Sequence, residues 1–195
     1  MAFVLWFTGV PASGKSTIAR EVERMLRERG IPIENLDADE IRKNLSPDLG
    51  YTEKDRDINT KRLAFLAALL EKHGVSAMVA AVSSLQRFRD RAREMSRNFV
   101  EIYVMCPVEV CMERDPKGLY ARAKRGEVND IAGLHQPYEA SPNPEVICES
   151  HKESAKECAM RVILKLEEMG LLPPENYTFE DEEVIKERLR SLGYL

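Results

Sequence analysis

The loop GVPASGKST, from Gly9 to Thr17, constrains the fold of this chain more than any other stretch. It fits the pattern G-x-x-x-x-G-K-[ST] at every fixed position, and the apolar run MAFVLWF lies just before it. In such a loop the backbone N–H groups turn inward around phosphate oxygens, and the helix that follows presents its positive end to the same anion. The sequence therefore predicts a buried strand, a phosphate-binding turn and a helix in direct succession.

The side chains of this loop predict a nucleoside triphosphate and Mg²⁺ as ligands. Lys15 supplies a positive charge for the β- and γ-phosphates, and the hydroxyl of Ser16 can ligate Mg²⁺. A tight strand-to-helix turn without a ligand is the alternative. The residues predicted to contact the nucleotide are Gly9, Val10, Pro11, Ala12, Ser13, Gly14, Lys15, Ser16 and Thr17.

Strand and helix patterns alternate along residues 1–170. We predict strands over 3–7, 31–36, 75–82, 100–105 and 146–148, and helices over 15–29, 53–73, 87–97, 108–114 and 153–169. This alternation predicts an α/β fold, a P-loop NTPase-type parallel sheet covered by helices on both faces. Residues 115–144 are weakly periodic and rich in Gly and Pro, so we predict that they form a mobile lid.

After residue 170 the alternation of strand and helix patterns ends. Residues 171–195 are predicted to form a charged C-terminal tail, in which a helix over residues 180–192 follows Pro173 and Pro174. Its apolar stripe would dock on the core or on a second subunit, and its members are Val184, Ile185, Leu189 and Leu192.

Composition limits the classes of function. The net charge of −4 argues against a broad nucleic-acid surface. No apolar run approaches the roughly 20 residues of a membrane span, so we predict no membrane contact and a cytoplasmic location. The four cysteines lack CxxC spacing, which favours buried or idle thiols over a zinc or redox site. They are Cys106, Cys111, Cys148 and Cys158.

This loop is consistent with three classes of nucleotide-binding protein: a GTP switch, an ATP-driven motor or regulatory module, and a small-molecule kinase. A GTP switch would carry an N-K-x-D guanine-binding motif, which is absent, and an ATP-driven motor would place an acidic residue where the strand over 75–82 is followed by Ser83. A small-molecule kinase is therefore favoured, with a catalytically silent nucleotide-binding regulator as the alternative.

A kinase needs a carboxylate near the acceptor hydroxyl, and the segment LDADEIR, residues 36–42, supplies two. Asp37 and Asp39 follow a strand, so they lie at the carboxyl edge of the sheet, where they could hold Mg²⁺ or accept a proton. Alternatively, Asp39 caps a helix that begins at Glu40. Arg56 and Asn59 are three residues apart on one helical face and suit an anion and a hydroxyl, although solvated surface residues would look the same.

Together these motifs resemble the adenylylsulfate kinase (APS kinase) family over about residues 3–165. Besides the loop, the similar stretches are LDADEIRKNL, DLGYTEKDRDIN, VSSLQRFRDRAR, RDPKGLYARAKRGEV and PYEASPNPE. The resemblance implies transfer of the γ-phosphate of ATP to the 3′-hydroxyl of adenylyl sulfate, which yields 3′-phosphoadenylyl sulfate. It also implies a homodimer.

The resemblance assigns roles to individual residues. Asp37 would orient or deprotonate the 3′-hydroxyl near Mg²⁺, and Arg114 would pack against the adenine of ATP. Ser83 matches a serine that some family descriptions treat as a phosphoserine intermediate, although direct in-line transfer needs only alignment and charge neutralisation. The residues implied for the acceptor site are Asp37, Asp39, Arg42, Tyr51, Arg56, Asn59, Ser83, Lys117, Gly118 and Leu119.

The chain departs from the family pattern mainly on the acceptor side. Ala12 and Ala38 replace common glycines, and Glu40 stands where the family often has Asn. Ser84-Leu85-Gln86 replaces Pro-Tyr-Arg, and residues 134–136 replace a more acidic stretch. A kinase of the same fold with another nucleotide or a small alcohol as acceptor therefore remains the alternative.

Overall fold

Five parallel strands form the centre of the molecule, which the computed structural model describes over residues 1–174, 186–187 and 189–190. The strands are β1 (Val4–Thr8), β2 (Ile33–Asp37), β3 (Ser76–Ala80), β4 (Phe99–Met105) and β5 (Val146–Glu149). Their order in the sheet is β2–β3–β1–β4–β5, and every neighbouring pair is parallel. The predicted parallel sheet is therefore confirmed.

Helices surround this sheet close to the predicted positions. They are α1 (Lys15–Glu28), α2 (Ala38–Leu45), α3 (Glu53–Lys72), α4 (Gln86–Met95), α5 (Val108–Arg114), α6 (Leu119–Lys124) and α7 (Ala155–Glu168). Thr52 and Asp55 form a reciprocal capping box at the start of α3, which fixes where that helix begins. Two details differ from expectation: α2 begins at Ala38 rather than at Glu40, and α6 lies within the segment expected to be irregular.

Alternation along β1 divides the core between the two faces of the sheet. Phe3, Leu5 and Phe7 pack with α1 and α7 on one face, whereas Val4 and Trp6 pack with α3 on the other. Because side chains alternate across a strand, β1 can be fully buried on both faces, as its apolar sequence predicts.

Parallel topology brings the segments predicted to be functional to one edge of the sheet. The phosphate-binding loop follows β1, Asp37 ends β2, Ser83 follows β3 and Ser150 follows β5. These positions are the carboxyl ends of neighbouring strands, where open α/β sheets bind their ligands.

The structure also bears on the predictions for the cysteines, for membrane-spanning helices and for the C-terminal tail. All four cysteines are free thiols, and three of them are buried. Within residues 1–174 and the described tail positions, no helix is long and apolar enough to cross a membrane. In the tail, residues 186–187 and 189–190 are helical, whereas Val184, Ile185 and Leu192 lie outside the described residues.

Candidate active site

The phosphate-binding loop wraps around the ammonium group of Lys15. The Nζ atom of Lys15 donates hydrogen bonds to the carbonyl oxygens of Gly9 (2.9 Å) and Val10 (2.7 Å) and approaches Oγ of Ser13 at 3.4 Å. A Cβ atom at Gly9 would lie 2.5 Å from the carbonyl oxygen of Val104, so this position needs a glycine. The loop is thus a closed cradle whose shape depends on backbone contacts.

The N-terminus of α1 is open toward an anion. Gly14 caps this helix in the left-handed conformation without a side-chain hydrogen bond, and the first turn contains no acidic residue. In contrast, α3 and α7 have capping boxes and acidic first turns. The unpaired N–H groups and positive end of α1 therefore remain for a phosphate group.

Burial lowers the pKa of Lys15 from 10.5 to about 8. Desolvation is the main cause, and the electrostatic influence of Cys111 and Asp39 opposes it. Lys15 forms no salt bridge in the described part of the chain. A bound triphosphate would supply the missing negative charge and raise the pKa again.

Asp37 occupies the junction between β2 and α2. Its Oδ1 atom accepts hydrogen bonds from the N–H groups of Asp39 (2.9 Å) and Glu40 (3.4 Å), so Asp37, not Asp39, caps α2. The alternative reading of Asp39 as the cap is therefore wrong. The cap fixes the carboxylate of Asp37 at the sheet edge, and no hydrogen bond to its Oδ2 atom is found among the described residues.

Ser83 is buried and adopts a left-handed backbone conformation with φ of 43°. The indole Nε1–H of Trp6 donates to its Oγ atom at 3.1 Å, and Nη1 of Arg89 donates to its carbonyl oxygen at 2.6 Å. A non-glycine residue with this φ is strained, so the surroundings must hold it in place.

On the side predicted to bind the acceptor, two arginines flank an exposed tyrosine. The guanidinium carbon of Arg42 lies 4.3 Å from the ring centroid of Tyr51, and that of Arg56 lies 5.6 Å away. Arg42 also binds the carbonyl oxygen of Gly50. Asn59 is buried one turn along α3 from Arg56. The predicted residues of this group thus lie close together.

Arg56 is linked to the predicted lid as well. It donates to the carbonyl oxygen of Asp130 at 2.6 Å and to Oε1 of Gln136 at 3.1 Å. Gln136 in turn donates to the carbonyl oxygen of Tyr51 at 3.3 Å. Burial lowers the pKa of Arg56, although an arginine stays charged at neutral pH.

The start of the lid segment contacts α2. Lys117 forms a salt bridge with Asp39, and this hydrogen bond raises the pKa of Lys117. Gly118 caps α6 in the left-handed conformation, and Leu119 is the first residue of that helix. Lys117 therefore lies on the same side as the residues predicted for the acceptor, with its ammonium group paired to Asp39.

Residues of the lid segment also contact the phosphate-binding loop directly. The hydroxyl of Tyr120 donates to the carbonyl oxygen of Pro11 at 3.0 Å. The hydroxyl of Tyr138 lies 3.0 Å from Oγ1 of Thr8, the residue before the loop. The segment therefore covers one side of the nucleotide cradle, while its mobility stays a prediction.

Arg114 reaches the loop through Ser150. Its Nη2 atom donates to the carbonyl oxygen of Ser150 at 2.6 Å, and the hydroxyl of Ser150 donates to the carbonyl oxygen of Ser13 at 2.6 Å. Arg114 is exposed, so a face of its guanidinium is available to a planar ring.

Several residues at the site were missed by the sequence analysis. Trp6 and Tyr120 appeared only as parts of a strand and of the lid, and Gln136 only as a departure from the family. Arg89 lies in a predicted charged helix, and a charged residue on a helix usually indicates an exposed position. Its burial was therefore not expected from the sequence.

Comparisons with known proteins place this arrangement in a family. A sequence profile described as adenylylsulphate kinase matches residues 1–149. The adenylyl-sulfate kinase of Halothermothrix orenii is 44% identical over 168 residues, which cover 86% of this chain and 91% of that protein.

Solved structures agree with the profile. The APS kinase of Mycobacterium tuberculosis, solved in complex with AMPPNP and APS, superposes with a TM-score of 0.81 at 39% identity and covers 85% of this chain and 98% of its own. A hexameric APS kinase from Thiobacillus denitrificans gives a TM-score of 0.68 at 28% identity over 90% of this chain and 30% of its own. This chain belongs to the adenylylsulphate kinase family.

Proposed function

We propose that this protein transfers the γ-phosphate of ATP to the 3′-hydroxyl of adenylyl sulfate, yielding 3′-phosphoadenylyl sulfate and ADP. The observation that carries the proposal is the position of Asp37. It ends β2 at the sheet edge where the phosphate-binding loop follows β1, with only β3 between the two strands. A carboxylate and a triphosphate cradle on one edge are what phosphoryl transfer to a hydroxyl requires.

The nucleotide side would bind MgATP through residues 9–17. The open end of α1 and the ammonium of Lys15 would hold the phosphates, and Arg114 would lie against the adenine. Ser16 and the Oδ2 atom of Asp37 would help to hold Mg²⁺. No group of three acidic, His or Cys side chains suited to a metal occurs in the described residues, which fits an ion held mainly by phosphates and water.

The acceptor would bind between α2, α3 and the lid segment. Arg42, Arg56 and Lys117 give this side a positive character that suits an acceptor carrying phosphate and sulfate groups. Tyr51 would offer a ring face, while Asp39, Asn59, Gly118 and Leu119 would complete the wall. Closure of residues 115–144 over the site would exclude water and limit ATP hydrolysis.

We favour direct in-line transfer over a phosphorylated Ser83. The Oγ atom of Ser83 accepts a hydrogen bond from buried Trp6, so it is engaged in the core. Ser83 would instead bind the acceptor through its N–H group or by donating its hydroxyl proton. Mass spectrometry of enzyme quenched during turnover tests this choice, since a phosphorylated Ser83 would refute it.

A panel of acceptors tests the substrate. ADP release is measured with adenylyl sulfate, AMP, other nucleotides and simple alcohols at fixed MgATP. We expect kcat/KM to be highest for adenylyl sulfate. The alternative acceptors are included because Gln136, at a departure from the family pattern, bonds to Arg56. Preference for one of them would refute the proposed substrate, while the proposal that the protein is a kinase would still hold.

The variant Asp37→Asn tests the role of the carboxylate. Asn is as good a helix cap as Asp, so α2 should persist. If Asp37 accepts the proton, kcat should fall by roughly 10²-fold while ATP still binds. Asp37→Ala is the control for the cap, with an expected cost of about 1 kcal/mol in unfolding free energy. Near-normal turnover of the Asn variant would reduce Asp37 to a structural cap.

We also propose that residues 1–170 act as one kinase domain in the cytoplasm, and that the assembly is a homodimer. The dimer is supported by the family resemblance alone, and the location is the expectation drawn from the sequence. Light scattering after size-exclusion chromatography would reveal a monomer or a hexamer if the expected dimer is wrong.

A further inference from the structure

Arg89 is a fully buried arginine that the proposed chemistry does not use. It lies in α4, and its exposed fraction is 0%. Arginine is almost never fully buried unless its charge is compensated and its N–H groups are bonded. Its partners therefore indicate what the residue holds in place.

Besides Gln86 of its own helix, Arg89 has partners in three other segments. Nη1 donates to the carbonyl oxygen of Ser83 at 2.6 Å, and Nη2 donates to the carbonyl oxygen of Glu139 at 2.7 Å and to Oε1 of Gln86 at 2.6 Å. Nε lies 3.0 Å from Oε1 of Glu101, an ion pair whose geometry is not that of an aligned hydrogen bond. One guanidinium thus joins the loop after β3, the end of the lid segment and β4.

The contact with Ser83 holds a strained backbone. A φ of 43° at a non-glycine residue persists only where neighbours fix it. Trp6 fixes the side chain and Arg89 fixes the carbonyl group. Loss of Arg89 would therefore free Ser83 to relax into an ordinary conformation.

The contact with Glu139 holds the returning end of the lid segment. The N–H of Glu139 donates to the carbonyl oxygen of Ser84 at 2.8 Å, and its carboxylate accepts from the N–H of Gln86 at 2.6 Å. The ring of Tyr138 lies 5.8 Å from the guanidinium carbon of Arg89. The lid end and the loop after β3 are therefore fastened to each other and to the same guanidinium.

We propose that Arg89 is a positioning residue that couples the geometry of Ser83 to the anchored end of the lid, so that the acceptor site and the lid move and bind as one unit. The proposal rests on the proposed function for the role of Ser83. Its specific consequence is that loss of the Arg89 hydrogen bonds weakens binding of the acceptor far more than binding of ATP.

The competing explanation is that Arg89 only forms a structural ion pair. A variant that removes one positive and one negative charge together distinguishes this explanation from a positioning role. Arg89, Arg93, Glu101 and Glu145 form one cluster, in which Arg93 also pairs with Glu101 (3.3 Å) and Glu145 (2.7 Å). The double variant Arg89→Met/Glu101→Gln removes one charge of each sign and leaves Arg93 paired with Glu145. Replacing a buried pair in this way is often neutral for stability, whereas removal of one partner is not.

The experiment compares wild type, Arg89→Lys and the double variant in thermal unfolding and in steady-state kinetics with MgATP and adenylyl sulfate. We expect the double variant to stay folded under assay conditions with a lowered Tm, because three acceptor oxygens lose their donor, and to raise the KM of adenylyl sulfate by roughly tenfold or more, with the KM of ATP changed less than about threefold. Arg89→Lys retains the charge and one donor group, so its acceptor KM should lie between the two.

Three outcomes would overturn the proposal. They are a double variant with wild-type KM values, an equal rise in both KM values, and a double variant unfolded under assay conditions, which would make Arg89 a folding residue. If wild type prefers another acceptor, the same comparison is made with that acceptor. Failure of the proposed substrate and failure of the positioning role are thereby distinguished.

Discussion

The buried ammonium of Lys15 predicts a pH dependence of nucleotide binding. Without nucleotide, this group donates to two backbone carbonyls and has a pKa of about 8 instead of 10.5. A triphosphate favours the charged form, so nucleotide binding above pH 8 should be accompanied by uptake of a proton. At pH 9 about a tenth of the free protein carries the charge, and the affinity should be about tenfold weaker than at pH 7.

The lowered pKa of Lys15 also makes the unfolding free energy depend on pH, and it predicts that stability increases as the pH rises. The folded pKa lies below the unfolded pKa, so the unfolded chain binds more protons between pH 8 and 10.5. The contribution of Lys15 to the unfolding free energy is therefore unfavourable below pH 8, by about 3 kcal/mol, and this penalty disappears as the pH rises to 10.5. The unfolding free energy of wild type should therefore rise relative to that of Lys15→Met as the pH increases from 7 to 10.

Calorimetric titration with the magnesium complex of AMPPNP measures the proton directly. At pH 9, titrations in two buffers with different ionisation enthalpies should give an uptake approaching one proton, and at pH 7 almost none. Lys15→Met is the matched control, since any uptake that it retains belongs to another group. Equal affinity of wild type at pH 7 and 9, together with no uptake at pH 9, would refute the assignment of a lowered pKa to Lys15.

Two glycine-related substitutions in the phosphate-binding loop should have opposite effects on stability. Gly9→Ala places its Cβ 2.5 Å from a backbone oxygen, so it should lower the unfolding free energy by about 1–3 kcal/mol and weaken ATP binding. The control Gly30→Ala has a φ of 72° and open space around the new Cβ, so it should cost only about 1 kcal/mol and leave ATP binding intact. Ala12→Gly relieves a φ of 61° and should raise the unfolding free energy by up to about 1 kcal/mol, measured by urea unfolding. A loss of stability in Ala12→Gly, or equal costs at Gly9 and Gly30, would contradict this reading of the loop.

Local patterns predicted most of the fold because the elements are long or strongly marked. The capping box at Thr52, the glycine after α1 and the apolar strands each have a signal within a few residues. α6 was missed because six residues are too few for a helical period. Its start depends on Asp115, whose carboxylate accepts from the N–H groups of Tyr120 and Ala121.

The candidate site could be predicted only in part, because many of its contacts join residues that are far apart in the sequence. Asp37 ends β2, and Lys15 belongs to the recognisable loop that follows β1, so their location follows from the topology. The contact between Trp6 and Ser83 joins residues 77 positions apart, and the contact between Arg89 and Glu139 joins residues 50 apart. No pattern within one element indicates such pairs, because the sheet and lid bring them together only after folding.

The two sides of the site differ in how substitutions can alter them. On the nucleotide side, backbone atoms form the cradle, and at Gly9 a single added Cβ collides with backbone. On the side proposed for the acceptor, the contacts are made by side chains, between Arg42 and Tyr51 and between Arg56 and Gln136, and a side chain can be exchanged without moving the sheet. The departures from the family pattern lie mainly on this second side. Variation in acceptor affinity is therefore the expected result of such changes, while the demand for a triphosphate donor is retained.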